Sequence, residues 1–184
     1  LGYVAALSKT IRIGTSVIVS NLRQPVQLAK SLSSLDNLSS GRLTIGLGLG
    51  TNTNMYPAYG LDREHRVSRF MEGVDIMKAL WTQSSVDFIG RYAQLEGVSM
   101  EPKPVQRPHP PLWFGARVPD AMRRAVKNGD GWMGAGSATN EDYLKEHAEL
   151  RRILQEETRD PATFAVSKRV YLAISNDEAR ARSK

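Results

Sequence analysis

The chain contains no cysteine. That excludes disulfides, thiolate metal sites and a cysteine nucleophile, and it points to a cytoplasmic protein. No apolar run approaches the roughly 20 residues that a membrane helix needs. The opening residues lack the basic, apolar and small-residue succession of a secretory leader. Histidine is scarce: His65 and His147 fall on helical patterns and His109 in a proline-rich loop, with no metal-ligand spacing among them. No metal site and no Ser-His-Asp arrangement is expected, and no residue announces itself as a catalytic acid, base or nucleophile. The phosphate-binding fingerprints are also missing. GLGLGTNTN fails the dinucleotide pattern because Thr51 stands three places after Gly48, and no Gly-Lys-Ser/Thr follows.

What is present is an ordinary globular composition. Hydrophobic residues make up 41% and charged residues 24% of 184 positions, enough for one sizeable core and too apolar for a disordered chain. The formal charge is +6 and the pI about 9.7. The basic residues are scattered. Short groups such as Arg123-Arg124 and Arg151-Arg152 alternate with acids on helical patterns, which argues against nucleic acid as a partner. The chain begins at Leu1 with half a helix and ends in the first turns of another, so it is expected to be part of a longer protein.

Along the chain, Ile11 to Val19 reads as a strand. Pro25 opens a helix striped by Val26, Ala29, Leu32, Leu35 and Leu38, and Gly41 stops it. A second strand, Leu43 to Leu49, precedes a helix over residues 64–82. Two short strand-like pieces and the proline-rich PKPVQRPHPP make up an insertion at residues 83–110. Three more strands follow, over Pro111 to Ala116, Asp130 to Gly136 and Val166 to Ile174, with helices after each. Thr139 and Asp142 resemble a capping box for the second of these helices, whose apolar side carries Leu144, Leu150, Ile153 and Leu154. Strand–helix alternation implies parallel strands, in either a doubly wound open sheet or an eightfold barrel.

The stretch LTIGLGLG separates these two. Gly46, Gly48 and Gly50 empty one face of the strand, while Ile45, Leu47 and Leu49 fill the other. An open sheet covered by helices on both faces would be left with voids. A barrel strand would pack its apolar face on helices and turn its glycines to the lumen, where larger neighbours or a flat ligand can use the room. Small polar residues cluster at the carboxyl ends of the strands: Thr15 and Ser16, TNTN (Thr51 to Asn54), GARVPDA (Gly115 to Ala121) and GAGS (Gly134 to Ser137). Arg117 adds positive charge where a helix begins, a place suited to an anion.

Three segments together, SSGRLTIGLGLG, PKPVQRPHPPLW and NGDGWM, resemble the bacterial luciferase-like family of flavin- or deazaflavin-dependent oxidoreductases. The resemblance runs over nearly the whole chain. It implies an α/β fold, a (β/α)8 TIM barrel present here as about strands three to seven, with the 83–110 insertion before strand five. It also implies a cofactor at the barrel mouth, coenzyme F-420 or FMN, with the glycine face clearing space near its ring. Matched position by position, Ser16 and Val17 fall where many members have a non-prolyl cis peptide. Gly50, Thr51 and Asn54 fall beside the ring. Gly115, Ala116 and Arg117 fall at the phosphate, and Gly136 and Ser137 on a neighbouring loop. One deazaflavin-dependent sugar-phosphate dehydrogenase branch has a catalytic Glu where this chain has Thr51, so that branch's proton chemistry is not carried over. The function implied is hydride transfer between F-420 and a small organic substrate. The alternatives are an FMN-dependent monooxygenase and a non-catalytic flavin-binding protein, in each case with a homodimer as the common assembly.

Overall fold

The computed structural model describes residues 1–50, 53–136, 138–170 and 173–182. Helix α1 (Gly2–Leu7) leads into two short strands, β1 (Ile13–Gly14) and β2 (Ile18–Val19), then helix α2 (Pro25–Leu38) and strand β3 (Leu43–Gly48). Helix α3 (Arg66–Thr82) is followed by the hairpin β4 (Val86–Ile89) and β5 (Gln94–Val98). The chain continues through β6 (Leu112–Gly115), α4 (Pro119–Asn128), β7 (Gly131–Gly134), α5 (Asn140–Glu156), β8 (Ala165–Lys168) and α6 (Glu178–Arg182). The main sheet is parallel throughout, in the order β1–β3–β6–β7–β8, with β2 also paired to β3. It curls into half a barrel, with helices on its outer side.

Two expectations are corrected here. Ile11 to Val19 is not one strand. Gly14 pairs with Thr44 and Ile18 with Leu47, so the three residues Thr15, Ser16 and Val17 face only Ile45 and Gly46. This is a bulge of one residue, and the Ser16–Val17 peptide within it is cis. Thr15 Oγ1 bridges the gap, accepting from Gly46 N at 2.9 Å and donating to Gly46 O at 2.8 Å. The last strand, expected to reach Ile174, is only four residues long. Val170 and Ile174 are exposed, and residues 171 and 172, part of the expected strand, lie outside the described residues.

The core lies outside the sheet. Ile45, Leu47, Leu112 and Phe114 meet Leu32, Phe70, Val74 and Met77 of α2 and α3, and a second cluster joins Met122, Trp132, Leu150 and Ile153. Both buried indoles are satisfied by backbone: Trp81 Nε1 donates to Ala29 O at 3.0 Å and Trp132 Nε1 to Ala116 O at 2.8 Å. The helical stripes are shifted from those expected. Leu38 and Leu144 are exposed, whereas Asp36 is fully buried and accepts from both the amide and the side chain of Gln106. Asn37 Nδ2 donates to Lys103 O at 2.8 Å, and Lys103 Nζ reaches Leu80 O at 2.8 Å. The proline-rich segment, which cannot make a ladder of its own, is thus pinned by side chains beneath α2 and α3.

Candidate functional site at the carboxyl ends of the strands

The bulge decides what fills the glycine face. A methyl group at Gly46 would run into the Thr15 carbonyl oxygen and lie 2.8 Å from Met133 Sδ. One at Gly48 would lie 2.7 Å from Val17 Cγ2, and one at Gly50 lies 3.1 Å from Val19 Cγ2. Protein atoms, not open space, therefore lie beside these glycines. The expectation that the bare face clears room for a ring gives way to close packing of the neighbouring bulged strand. Gly50 also has φ +72°, a conformation that itself favours glycine.

Val17 is the meeting point. Its Cγ1 stands 3.3 Å from where a Gly115 methyl would be, so Ser16–Val17, Gly48 and Gly115 converge from three strands. Arg169, just beyond β8, closes the arc. Its guanidinium lies against Gly136, where an added methyl group would meet Nε, and Nη1 donates to Ser16 O at 3.4 Å. The structure thus brings together Ser16, Val17, Gly115 and Gly136. Ala116 is buried and accepts from Trp132. Asn54 is exposed in the 3-10 turn Thr53–Tyr59, and Thr51 and Ser137 lie outside the described residues. Behind that turn, the buried Tyr56 donates to Leu49 O at 2.8 Å and Asn21 Nδ2 donates to Tyr56 at 3.3 Å, which ties the loop after β3 to the end of β2.

Arg117 points to α5, where Nε donates to Glu146 Oε1 at 2.9 Å. The arginine side chain is 53% exposed, and its two terminal nitrogens have no partner among the described residues. Asp120 already places a carboxylate in the first turn of α4, so an anion here would rest on the Arg117 guanidinium more than on the helix dipole. Sequence reasoning missed Arg169, Met133 and Tyr56. Met133 was legible from the alternation with the outward Trp132. Arg169 had no local signal, because its contacts are with Gly136 and with Ser16, the latter 153 residues away.

This geometry has known relatives. The luciferase-like monooxygenase family matches residues 1–184, and the chain belongs to it. The oxygenase component of the flavin-dependent trigonelline monooxygenase of Acinetobacter baylyi is 32% identical over 68% of this chain and 35% of its own length. The F420-dependent hydroxymycolic acid dehydrogenase of Mycobacterium tuberculosis is 28% identical over 100% of this chain and 51% of its own length. Among solved structures, monooxygenase RslO1 from Streptomyces bottropensis superimposes with a TM-score of 0.84 at 28% identity, covering 99% of this chain and 56% of that one. The chain therefore spans between about a third and just over half of the length of these relatives. The fold is that of the luciferase-like TIM barrels.

Proposed function

We propose that residues 1–184 form one incomplete luciferase-like barrel domain of an oxidoreductase that uses coenzyme F-420 to transfer a hydride to or from a small organic substrate. The observation that carries this reading is the convergence of Ser16–Val17, Gly115 and Gly136 at the strand ends, next to an arginine, Arg117, whose terminal donors are unengaged among the described residues. A planar ring with an anionic tail would rest against the Val17 bulge that the glycines allow to pack closely, and Arg117 with the amides of Gly115 and Ala116 would hold the phosphate. When bound, the deazaflavin supplies hydride chemistry. The chain's own residues supply position and charge. Val17 forms the back wall, Arg169 spans the mouth, and the Tyr56–Leu49 contact fixes the loop beside the ring.

A relative matched over the whole of this chain is an F420-dependent dehydrogenase, which supports the deazaflavin. The FMN-dependent monooxygenase reading is kept because two of the relatives named above are monooxygenases. Separate titrations of the full-length protein with F-420 and with FMN, read by absorbance and fluorescence, decide between them. Saturable binding of F-420 in preference to FMN is expected. Preference for FMN would make dioxygen consumption the relevant assay, and binding of either without turnover would leave a flavin-binding protein.

A further inference from the structure

Glu146 stands where helix α5 has an apolar side. Tyr143, Glu146, Leu150 and Ile153 follow one another at helical spacing. Leu150 and Ile153 are buried with Met122, Val126 and Trp132, and Tyr143 packs against them. The Glu146 side chain is only 11% exposed. Its Oε1 accepts from Arg117 Nε at 2.9 Å, and its Oε2 is buried with no partner among the described residues. A leucine at this position would complete the apolar side and leave no buried acceptor unmatched, so stability does not account for the acid. The ion pair does not account for it either. Arg117 is half exposed, and a pair open to water on one side adds little to folding. A residue that breaks a local rule at a cost marks a place where a site needs it.

What the acid does is fix a direction. Both members of the pair hang from one buried indole. Trp132 Nε1 donates to Ala116 O at 2.8 Å, which pins the backbone just before Arg117. The ring of Trp132 stacks on Tyr143, one turn before Glu146, with centroids 5.7 Å apart and planes 18° from parallel. Thr139 Oγ1 caps the same helix, accepting from Asp142 N at 3.0 Å. Glu146 thus projects from a helix end that is tied down, and it takes Arg117 by Nε alone. The Nη1–Nη2 edge of the guanidinium is left without a partner among the described residues. That edge can grip a phosphate with two parallel hydrogen bonds. An arginine already held has less rotamer freedom to lose when an anion arrives.

From this we infer that Glu146 is a positioning residue for the phosphate of the cofactor, acting through Arg117 by holding its Nε and presenting its Nη1–Nη2 edge at the strand ends. The inference rests on the reading of the mouth as the site of a phosphate-bearing ring cofactor. Glu146 also carries a negative charge, which by itself opposes an anion. Position and charge therefore act in opposite directions, and substitutions can separate them. Glu146→Gln keeps an acceptor for Nε and removes the charge, whereas Glu146→Leu removes both.

The full-length protein is titrated, with fluorescence as the readout, with F-420 and with the same deazaflavin ending at its ribityl chain, and likewise with FMN and with riboflavin. For the pair that binds, the ratio of phosphate-bearing to phosphate-free affinity isolates the phosphate contact. Arg117→Ala should lower this ratio about tenfold or more. Glu146→Leu should lower it about fivefold while the protein melts at an undiminished temperature, and Glu146→Gln should keep it at or above the wild-type value. Glu146→Leu added to Arg117→Ala should lower it no further, since the acid acts through the arginine. Affinity for the phosphate-free ring should stay the same in every variant. A ratio that falls in Arg117→Ala and not in Glu146→Leu overturns the inference and leaves the cofactor reading standing. So does an equal fall in Glu146→Gln and Glu146→Leu, or a loss that extends to the phosphate-free ring. A ratio indifferent to Arg117→Ala, or binding of neither cofactor, overturns the reading of the mouth and the inference with it.

Discussion

At the residue scale, the glycines of LTIGLGLG are explained by one neighbour each. Gly46 faces the backbone carbonyl of Thr15, which cannot rotate away, whereas Gly48 faces the side chain of Val17. Overpacking against backbone costs more than overpacking against a side chain that can shift. Gly46→Ala should therefore destabilise the protein by about 3 kcal/mol, and Gly48→Ala by clearly less. Urea unfolding of the two variants checks this, and equal losses would show that the bulge yields as easily as a side chain. Half of this was readable in advance. A bare strand face signals that something large stands opposite, and larger neighbours were one of the two readings. That the neighbour would be a bulged strand was not readable, because a run such as TIRIGTSVIVS looks continuous whether or not one residue is extra. The same blindness hid Asp36. Its partner Gln106 lies 70 residues on, in a segment with no periodicity of its own.

At the scale of elements, the family-like segments do structural work at the opposite end of the strands from the candidate site. In SSGRL, Arg42 donates to Ser39 O, Ile11 O and Ala5 O, knotting α1 to the entry of β1. In NGDGW, the Asp130 carboxylate accepts from Leu112 N, its amide donates to Leu112 O and its carbonyl accepts from Ala165 N, so one residue joins β6, β7 and β8. Helices α4 and α5 are joined by charge. Arg123 binds Glu156 at 2.7 Å and Glu157 at 2.5 Å, and Arg152 binds Glu149 at 2.5 Å and also Glu156. Hydrogen bonds from Arg123 hold the Glu156 and Glu157 carboxyls below the ordinary glutamate value of 4.5, and Arg152 does the same for Glu149. A carboxyl with a depressed folded-state pKa binds fewer protons folded than unfolded. Its contribution is thus complete above the unfolded value and is lost as pH falls through the folded one. Melting temperatures of the wild type and Glu157→Gln should accordingly differ near neutral pH and converge as pH drops below about 4.5. A constant difference across that range would show that the pair adds nothing through its charge, as exposed pairs often do.

At the scale of the whole molecule, the parallel half-barrel follows from strand–helix alternation, and its two faces follow from apolar residues set against glycine. Parallel pairing was legible in this way, and two short strand-like pieces were legible where the antiparallel hairpin stands. Strand ends were less so: β8 stops at Lys168 although Val170 and Ile174 continue the apolar pattern, since propensity alone does not supply a pairing edge. The mouth was legible as small residues at strand ends and not as a constellation, because Val17 and Arg169 meet Gly48, Gly115 and Gly136 only once the sheet is curled. No helix among the described residues is long and apolar enough to cross a membrane. The central claim is that this mouth holds the cofactor. The methyl resonance of Met133, on the inner face beside Gly46, reports on it most directly. Adding F-420 to the full-length protein, labelled with ¹³C at its methionine methyls, should give a saturable shift at Met133 and leave Met77, buried in the core outside the sheet, in place. A Met133 resonance that stays fixed while F-420 binds, or moves less than Met77, would contradict the assignment of the cofactor to the carboxyl ends of these strands.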